Sequence, residues 1–175
     1  AVNFYDLRSN PCRKAGSMGK SKADERPYWT LEEFQKFSDA IMDKQDSWMA
    51  FQILFWTGMR IGELLALTPA DFDFQACTIR INKSYQRLEG KDIITDPKTV
   101  KSNRMITMPE FLSEELESYI GMLYGLNEND RIFQISKSYL HHEMDRGVKL
   151  SGVRRIRIHD LRHSHVSLLI NVGYS

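Results

Sequence analysis

The chain has 175 residues, of which 42% are hydrophobic, and its net charge is +1. This length and composition fit one globular domain with a hydrophobic core. We find no run of about 18 apolar residues of the kind that spans a bilayer and no signal peptide, so we expect a cytoplasmic protein without membrane contacts. Cys12 and Cys77 are too far apart in sequence to favour a disulfide framework or a zinc ribbon.

The charges are segregated along the chain. Residues 1–29 carry 6 basic and 3 acidic side chains, residues 77–107 carry 7 and 3, and residues 131–175 carry 8 and 3. Residues 30–76 carry only 3 basic but 8 acidic side chains, and residues 108–130 carry none and 6. This pattern fits a protein that turns one face toward a polyanion such as nucleic acid, although solvated charged faces give the same pattern.

Residues 1–27 contain prolines, glycines and scattered basic residues with few apolar ones, which is typical of a linker. We therefore expect a linker over 1–27 and a folded domain over 28–175. The folded part begins with Thr30 and Glu33, whose spacing predicts a capping box at the start of a helix.

The periodicity of the apolar residues then predicts several helices and a few strands. Further helices are predicted over about 48–56 and 60–67, from Pro69, from Pro109, and from about His159 to a cap at Gly173. Strands are predicted over 77–82, after a turn at 89–92, around 104–108, and over 131–135. The expected fold is α+β and mainly helical, with a small antiparallel sheet.

Two segments place an arginine at a helix start: T-G-M-R-I-G-E-L-L-A-L at 57–67 and H-D-L-R-H-S-H at 159–165. A phosphate at a helix start meets free backbone amides, and a guanidinium matches its oxygens in a bidentate manner. A simpler alternative is that Arg60 pairs with Glu63, and Arg162 with Asp160, as ordinary salt bridges.

Together these segments resemble the catalytic domain of the tyrosine recombinases, also called phage integrases, over nearly the whole chain after the linker. Arg60 and Glu63 match the family pattern T-G-x-R-x-x-E-x-x-x-L, and His159 with Arg162 matches H-x-x-R. Lys98, in D-P-K-T-V-K-S-N-R-M-I-T-M-P, matches the lysine of the family's β-hairpin, with Lys101 as the rival for that role.

The resemblance implies a reaction without metal or cofactor, in which a tyrosine attacks a DNA phosphodiester and forms a 3′-phosphotyrosyl link. It implies that Arg60 and Arg162 bind the non-bridging oxygens, where charge develops. Lys98 would protonate the leaving 5′-oxygen, and His159 would accept or relay the tyrosine proton. Glu63 would orient this cluster.

In the family, the attacking tyrosine lies about thirty positions after H-x-x-R. Here only thirteen residues follow Arg162, so we expect no nucleophile in this chain, a catalytic domain truncated at its C-terminal end, and a fragment that is inactive in cleavage. We interpret Tyr174 as part of a turn.

The resemblance also implies partners: double-stranded DNA, and a homotetramer of the full-length protein, whose N-terminal DNA-binding domain would precede the linker. His159 and His163 are spaced as a metal pair would be, but no third ligand is fixed by spacing. We therefore expect no metal and assign His163 a supporting role. The alternative function is a non-catalytic DNA-binding regulatory module that uses the same basic residues.

Aromatic residues of the second predicted helix could in principle stack on bases. Their helical spacing within an apolar run instead predicts that Trp48, Phe51, Phe55 and Trp56 belong to the core.

Overall fold

A computed structural model describes residues 27–95 and 103–173 of the chain. Its helices are α1 (Leu31–Ala40), α2 (Gln45–Thr57), α3 (Ile61–Leu64), α4 (Glu110–Met122), α5 (Lys137–Ser151) and α6 (Leu161–Asn171), with 3₁₀ turns at Pro69–Asp71 and Ile158–Asp160. Its strands are β1 (Phe72–Asp73), β2 (Thr78–Ile81), β3 (Ser84–Leu88), β4 (Lys91–Thr95) and β5 (Arg104–Thr107). The predicted α+β, mainly helical class is confirmed. Within the described ranges, no helix is long and apolar enough to cross a membrane.

Helix α1 begins at the predicted capping box. The Glu33 carboxylate accepts a hydrogen bond from the Thr30 amide at 2.9 Å, and the Glu33 amide donates to the Thr30 hydroxyl at 3.3 Å. Two amides that the first turn would leave without partners are thereby satisfied, and this prediction is confirmed.

Aromatic side chains join α1 and α2 in the core. Phe34 stacks on Phe55 with ring centroids 3.8 Å apart, and Phe51 is also buried. The prediction of core positions is confirmed for Phe51 and Phe55, whereas Trp48 and Trp56 are only partly buried at the edge of the core.

The strands form two small antiparallel sheets instead of the one that was predicted. Strand β2 lies between β1 and β5, with Arg80 opposite Met105. Strands β3 and β4 form a separate hairpin whose tight turn is Glu89–Gly90, both residues with positive φ. The chain leaves the first sheet after β2 because β3 packs instead against α3, where Gly62 lies close to Ser84.

The predicted strand over 131–135 is wrong. The segment is irregular, and its backbone bonds to a loop: the Ile132 amide donates to the Leu67 carbonyl at 2.9 Å. The Arg131 guanidinium donates to the carbonyls of Leu65 and Phe133. These hydrogen bonds take the place of a strand ladder.

Two helix boundaries also differ from the prediction. Helix α2 begins at Gln45, three residues before the predicted start, and the helical segment after Arg60 ends at Leu64. Predictions that concern residues 1–26, residues 96–102 and Tyr174 lie outside the described residues.

Candidate functional site

Arg60 is the residue that precedes the first turn of α3, and it is held there by Glu63. The Glu63 carboxylate accepts hydrogen bonds from the Arg60 amide and from Arg60 Nη1, both at 2.9 Å. The Glu63 side chain is only 7% exposed, whereas that of Arg60 is 56% exposed. The pairing considered from the sequence is therefore present, and it leaves most of the guanidinium open to solvent.

A second arginine reaches the same carboxylate from β5. Arg104 Nη1 donates to Glu63 Oε1 at 3.0 Å, and Arg104 Nη2 donates to Oε2 at 2.8 Å. Burial alone would raise the pKa of Glu63, but hydrogen bonds from Arg104 and Arg60 and the charge of Arg104 lower it overall. The single negative charge of Glu63 is thereby shared between two guanidinium groups, so the side chains of Arg60, Glu63 and Arg104 together carry a charge of +1.

The turn before α6 is built in the same way around Asp160. This carboxylate is fully buried and accepts hydrogen bonds from the Arg157 amide at 3.0 Å, from Nε at 2.9 Å and from Nη2 at 2.8 Å. The hydrogen bond from the Arg157 side chain is the largest cause of a lowered pKa for Asp160, and it outweighs the effect of burial. The alternative in which Arg162 pairs with Asp160 is wrong, because Arg157 occupies that position.

Arg162, the second residue of α6, is held instead by a neutral group. Its Nη1 donates to the carbonyl of Gly58 at 2.7 Å, across 104 residues of sequence. Gly58 lies two residues before Arg60, so this bond ties α6 to the loop that carries Arg60. Within residues 27–95 and 103–173, no carboxylate forms a salt bridge with Arg162.

The approach of α6 to this loop requires a glycine at position 58. Gly58 has a φ of 60°, and a Cβ there would lie 2.7 Å from Cδ2 of His165. Burial lowers the pKa of His165 and the charge of Arg162 lowers it further, whereas the nearby backbone of Phe55 acts in the opposite direction. These effects favour the uncharged form of His165, which packs as a half-buried ring.

His159 and His163 lie on the same turn and helix start as Arg162. Their rings are perpendicular with centroids 6.1 Å apart, and His159 is exposed. Among the described residues, no group of three or more histidine, cysteine, aspartate or glutamate side chains is placed to hold a metal ion.

The structure thus brings Arg60, Glu63 and Arg162 to one loop, with His159 and His163 on the element that carries Arg162. Lys98 and its rival Lys101 lie outside the described residues, so their positions stay predictions.

Sequence reasoning missed two residues that shape this site, Arg104 and Arg157. The role of Arg157 had a signal, because R-x-x-D at 157–160 repeats the spacing of R-x-x-E at 60–63. No sequence signal indicated the role of Arg104, because Glu63 lies 41 residues away in the chain.

Residues 29–175 match the family model described as the Phage integrase family. The ICEBs1 integrase of Bacillus subtilis (strain 168) is 32% identical to the chain over 189 aligned positions, which cover 99% of this chain and 50% of that protein. The integrase of Mycobacterium phage L5 is 29% identical, with coverages of 93% and 45%. The chain spans about half the length of these curated relatives.

The fold is also found among solved structures. The Tn1549 transposon integrase, in complex with a circular intermediate DNA, superposes with a TM-score of 0.76 at 20% identity, and the match covers 99% of this chain and 63% of that one. At this level of identity the likeness concerns the fold, and it agrees with the catalytic-domain architecture expected from the two arginine segments.

Proposed function

The chain belongs to the phage integrase family, and we propose that it forms part of a site-specific recombinase that cleaves and rejoins double-stranded DNA through a 3′-phosphotyrosyl intermediate. The observation that carries this proposal is the hydrogen bond between Arg162 and the Gly58 carbonyl, which brings a second arginine to the loop of Arg60. Two guanidinium groups from distant parts of the chain can then bind the two non-bridging oxygens of one phosphodiester.

The charges around the two arginines support this role. A neutral carbonyl holds Arg162, so its full charge is available to a phosphate. Arg60 shares Glu63 with Arg104, so the three side chains together keep one positive charge. Arg104 thereby acts as a positioning residue: it prevents Glu63 from neutralising Arg60 and holds the carboxylate that orients it.

In the proposed reaction, a tyrosine oxygen attacks phosphorus, the new O–P bond forms, and the bond to the 5′-oxygen breaks. Arg60 and Arg162 would stabilise the charge on the non-bridging oxygens of the five-coordinate transition state. Lys98 would protonate the leaving 5′-oxygen, and His159, supported by His163, would take up the tyrosine proton. Rejoining reverses each of these transfers.

Several predictions concern the whole protein: a linker over residues 1–27 after a DNA-binding domain, a homotetramer on DNA, a cytoplasmic location, and an attacking tyrosine outside this sequence. They were inferred from the sequence and from the family resemblance, and they stay predictions.

The rejoining half-reaction provides a test that needs no tyrosine from the chain. A nicked duplex carries a 3′-p-nitrophenyl phosphate facing a 5′-hydroxyl, and the sequence around the nick is randomised. The 5′-oxygen attacks phosphorus, p-nitrophenol leaves, and the joined strands are identified by sequencing. We expect this 175-residue chain to accelerate joining at a subset of sequences but to form no covalent adduct with a nicked, unactivated duplex.

Substitutions of Arg162 and of Arg104 make the test specific. Arg162→Ala is expected to slow joining by about a hundredfold, and Arg104→Ala by about tenfold because Glu63 then neutralises Arg60. Lys36→Ala, on the exposed surface of α1, removes the same charge and serves as the control that keeps the wild-type rate. DNA binding without joining would instead favour the non-catalytic module, and equal losses in all three variants would mean that only net charge matters.

A further inference from the structure

A continuous groove lies between α2 and α4, next to the end of α1. It consists of two cavities of about 430 Å³ and 370 Å³, which share Met42, Trp48 and Glu115 in their walls. Helices α2 and α4 run in opposite directions along it, since Trp56 contacts Phe111 at one end and Gln45 lies with Met122 at the other. Arg60, Arg104 and Arg162 do not line the groove, and the proposed reaction gives the groove no role.

The floor of the groove is apolar, and its polar atoms are already satisfied. The indole N–H of Trp48 donates to Ser38 at 2.8 Å, and that of Trp56 donates to Gln52 at 3.0 Å. Large apolar side chains nevertheless remain open to solvent along the groove: Met42 is 58%, Phe111 43% and Met122 61% exposed. An occupant would therefore be bound through apolar contacts that remove these side chains from water.

The rim of the groove is acidic. Asp39, Glu114 and Glu115 line the two cavities, and among the described residues no lysine or arginine lines either of them. None of the three forms a salt bridge with another described residue. Glu115 lies where the two cavities meet, and burial raises its pKa, so a cation placed beside it would relieve the cost of its charge. Because its carboxylates are negatively charged, this rim repels the phosphates of nucleic acid.

We propose that this groove binds a basic amphipathic helix of a partner protein. Its walls are helices whose backbone groups bond within themselves, so it offers no strand edge to an extended peptide. From Phe111 to Met122 it follows α4 for about 16 Å at 1.5 Å per residue, the length of three helical turns. Apolar anchors of the ligand would fill the floor at helical spacing, its lysines and arginines would face the rim, and the methionines would adapt to its shape.

Tryptophan fluorescence reports on this groove directly, because Trp48 and Trp56 line it. The third tryptophan, Trp29, is buried elsewhere at 1% exposure. The probe is a synthetic 18-residue helical peptide of leucine and lysine with one leucine face. One control peptide has glutamate in place of lysine, and another has the same leucine and lysine content in scrambled order. Titration followed by tryptophan fluorescence is expected to give saturable 1:1 binding of the first peptide, at least tenfold tighter than of either control.

Charge reversal on α4 provides matched protein variants. Glu115→Lys and Glu114→Lys change the rim, and each is expected to weaken binding of the leucine and lysine peptide at least tenfold. Glu117→Lys makes the same charge change on an exposed part of α4 that does not line the groove, and it is expected to weaken binding less than twofold. Thermal unfolding verifies that all three variants are folded.

Several outcomes would overturn the proposal. Equal weakening by Glu115→Lys and Glu117→Lys would reduce the effect to net charge. Equal affinity for the glutamate peptide would mean that the rim does not select a basic ligand, and an unchanged fluorescence would mean that the groove is not the site. A dimer in sedimentation equilibrium that Glu115→Lys dissociates would assign the groove to a second copy of the chain.

Discussion

The turns 60–63 and 157–160 have the same construction but different net charge. In each, an arginine precedes the first helical turn, and its amide and guanidinium both donate to an acid three residues later. At Glu63 a second arginine, Arg104, shares the carboxylate, so the three side chains together carry a charge of +1. Asp160 neutralises Arg157, and the charge next to the second turn comes from Arg162, which a carbonyl holds.

This difference separates two tasks that an arginine can perform. An arginine paired one to one with a buried carboxylate fixes the local backbone, and the pair produces only a weak electrostatic field around it. An arginine that shares its carboxylate, or that bonds to a carbonyl, keeps charge for an anion. Arg157 is of the first kind, whereas Arg60 and Arg162 are of the second.

The largest expected effect comes from breaking the neutral turn. Asp160→Asn removes the charge that three Arg157 donors share in a fully buried position, and we expect the free energy of unfolding to fall by about 3 kcal/mol. Urea denaturation measures this change. The control is Asp145→Asn, which breaks an exposed pair with Arg155 and should cost less than about 0.5 kcal/mol. Similar losses in both variants would show that Asp160 is no more than a surface partner.

A second test concerns the loop that joins the two turns. Gly58→Ala places a methyl group against the His165 ring in a backbone conformation that favours glycine, and we expect a loss of about 2 kcal/mol. Gly152→Ala, at the end of α5, has a similar φ of 71° but nothing within 4 Å of the added Cβ. It should cost about 1 kcal/mol, the strain of the backbone alone. The difference in thermal unfolding between the two variants isolates the His165 contact, and no difference would argue against close packing of α6 on this loop.

These contacts also show where sequence reasoning succeeds and where it ends. The capping box of Thr30 and Glu33 was predictable because its partners lie within one turn. The pair of Arg157 and Asp160 has the same local character and could have been predicted from its spacing.

Contacts between segments that are distant in sequence could not be predicted from local sequence patterns. The alternation that marks β2 is visible in the sequence, but its pairing with β5 across the intervening hairpin depends on tertiary packing. The same holds for Arg104 at Glu63 and for the bond from Arg162 to Gly58. At 131–135 the apolar alternation resembled a strand, yet the segment bonds to the loop at Leu67.

The smallest expected effect is on the pH dependence of stability. It compares Glu63 with Glu115, a carboxylate whose pKa is shifted in the opposite direction. The fold lowers the pKa of Glu63 below its ordinary 4.5, so in acid the folded state binds fewer protons than the unfolded state. The stability from Glu63 is present above the ordinary pKa and is lost as the pH falls through the lowered one. Glu63→Gln should therefore reduce the loss of unfolding free energy between pH 6 and pH 3 by about 1 kcal/mol. Glu115, whose pKa burial raises, contributes stability that is lost as the pH rises, so Glu115→Gln should make the acid loss steeper. Slopes that change in the same direction in both variants would contradict the sharing of Glu63 between two arginines.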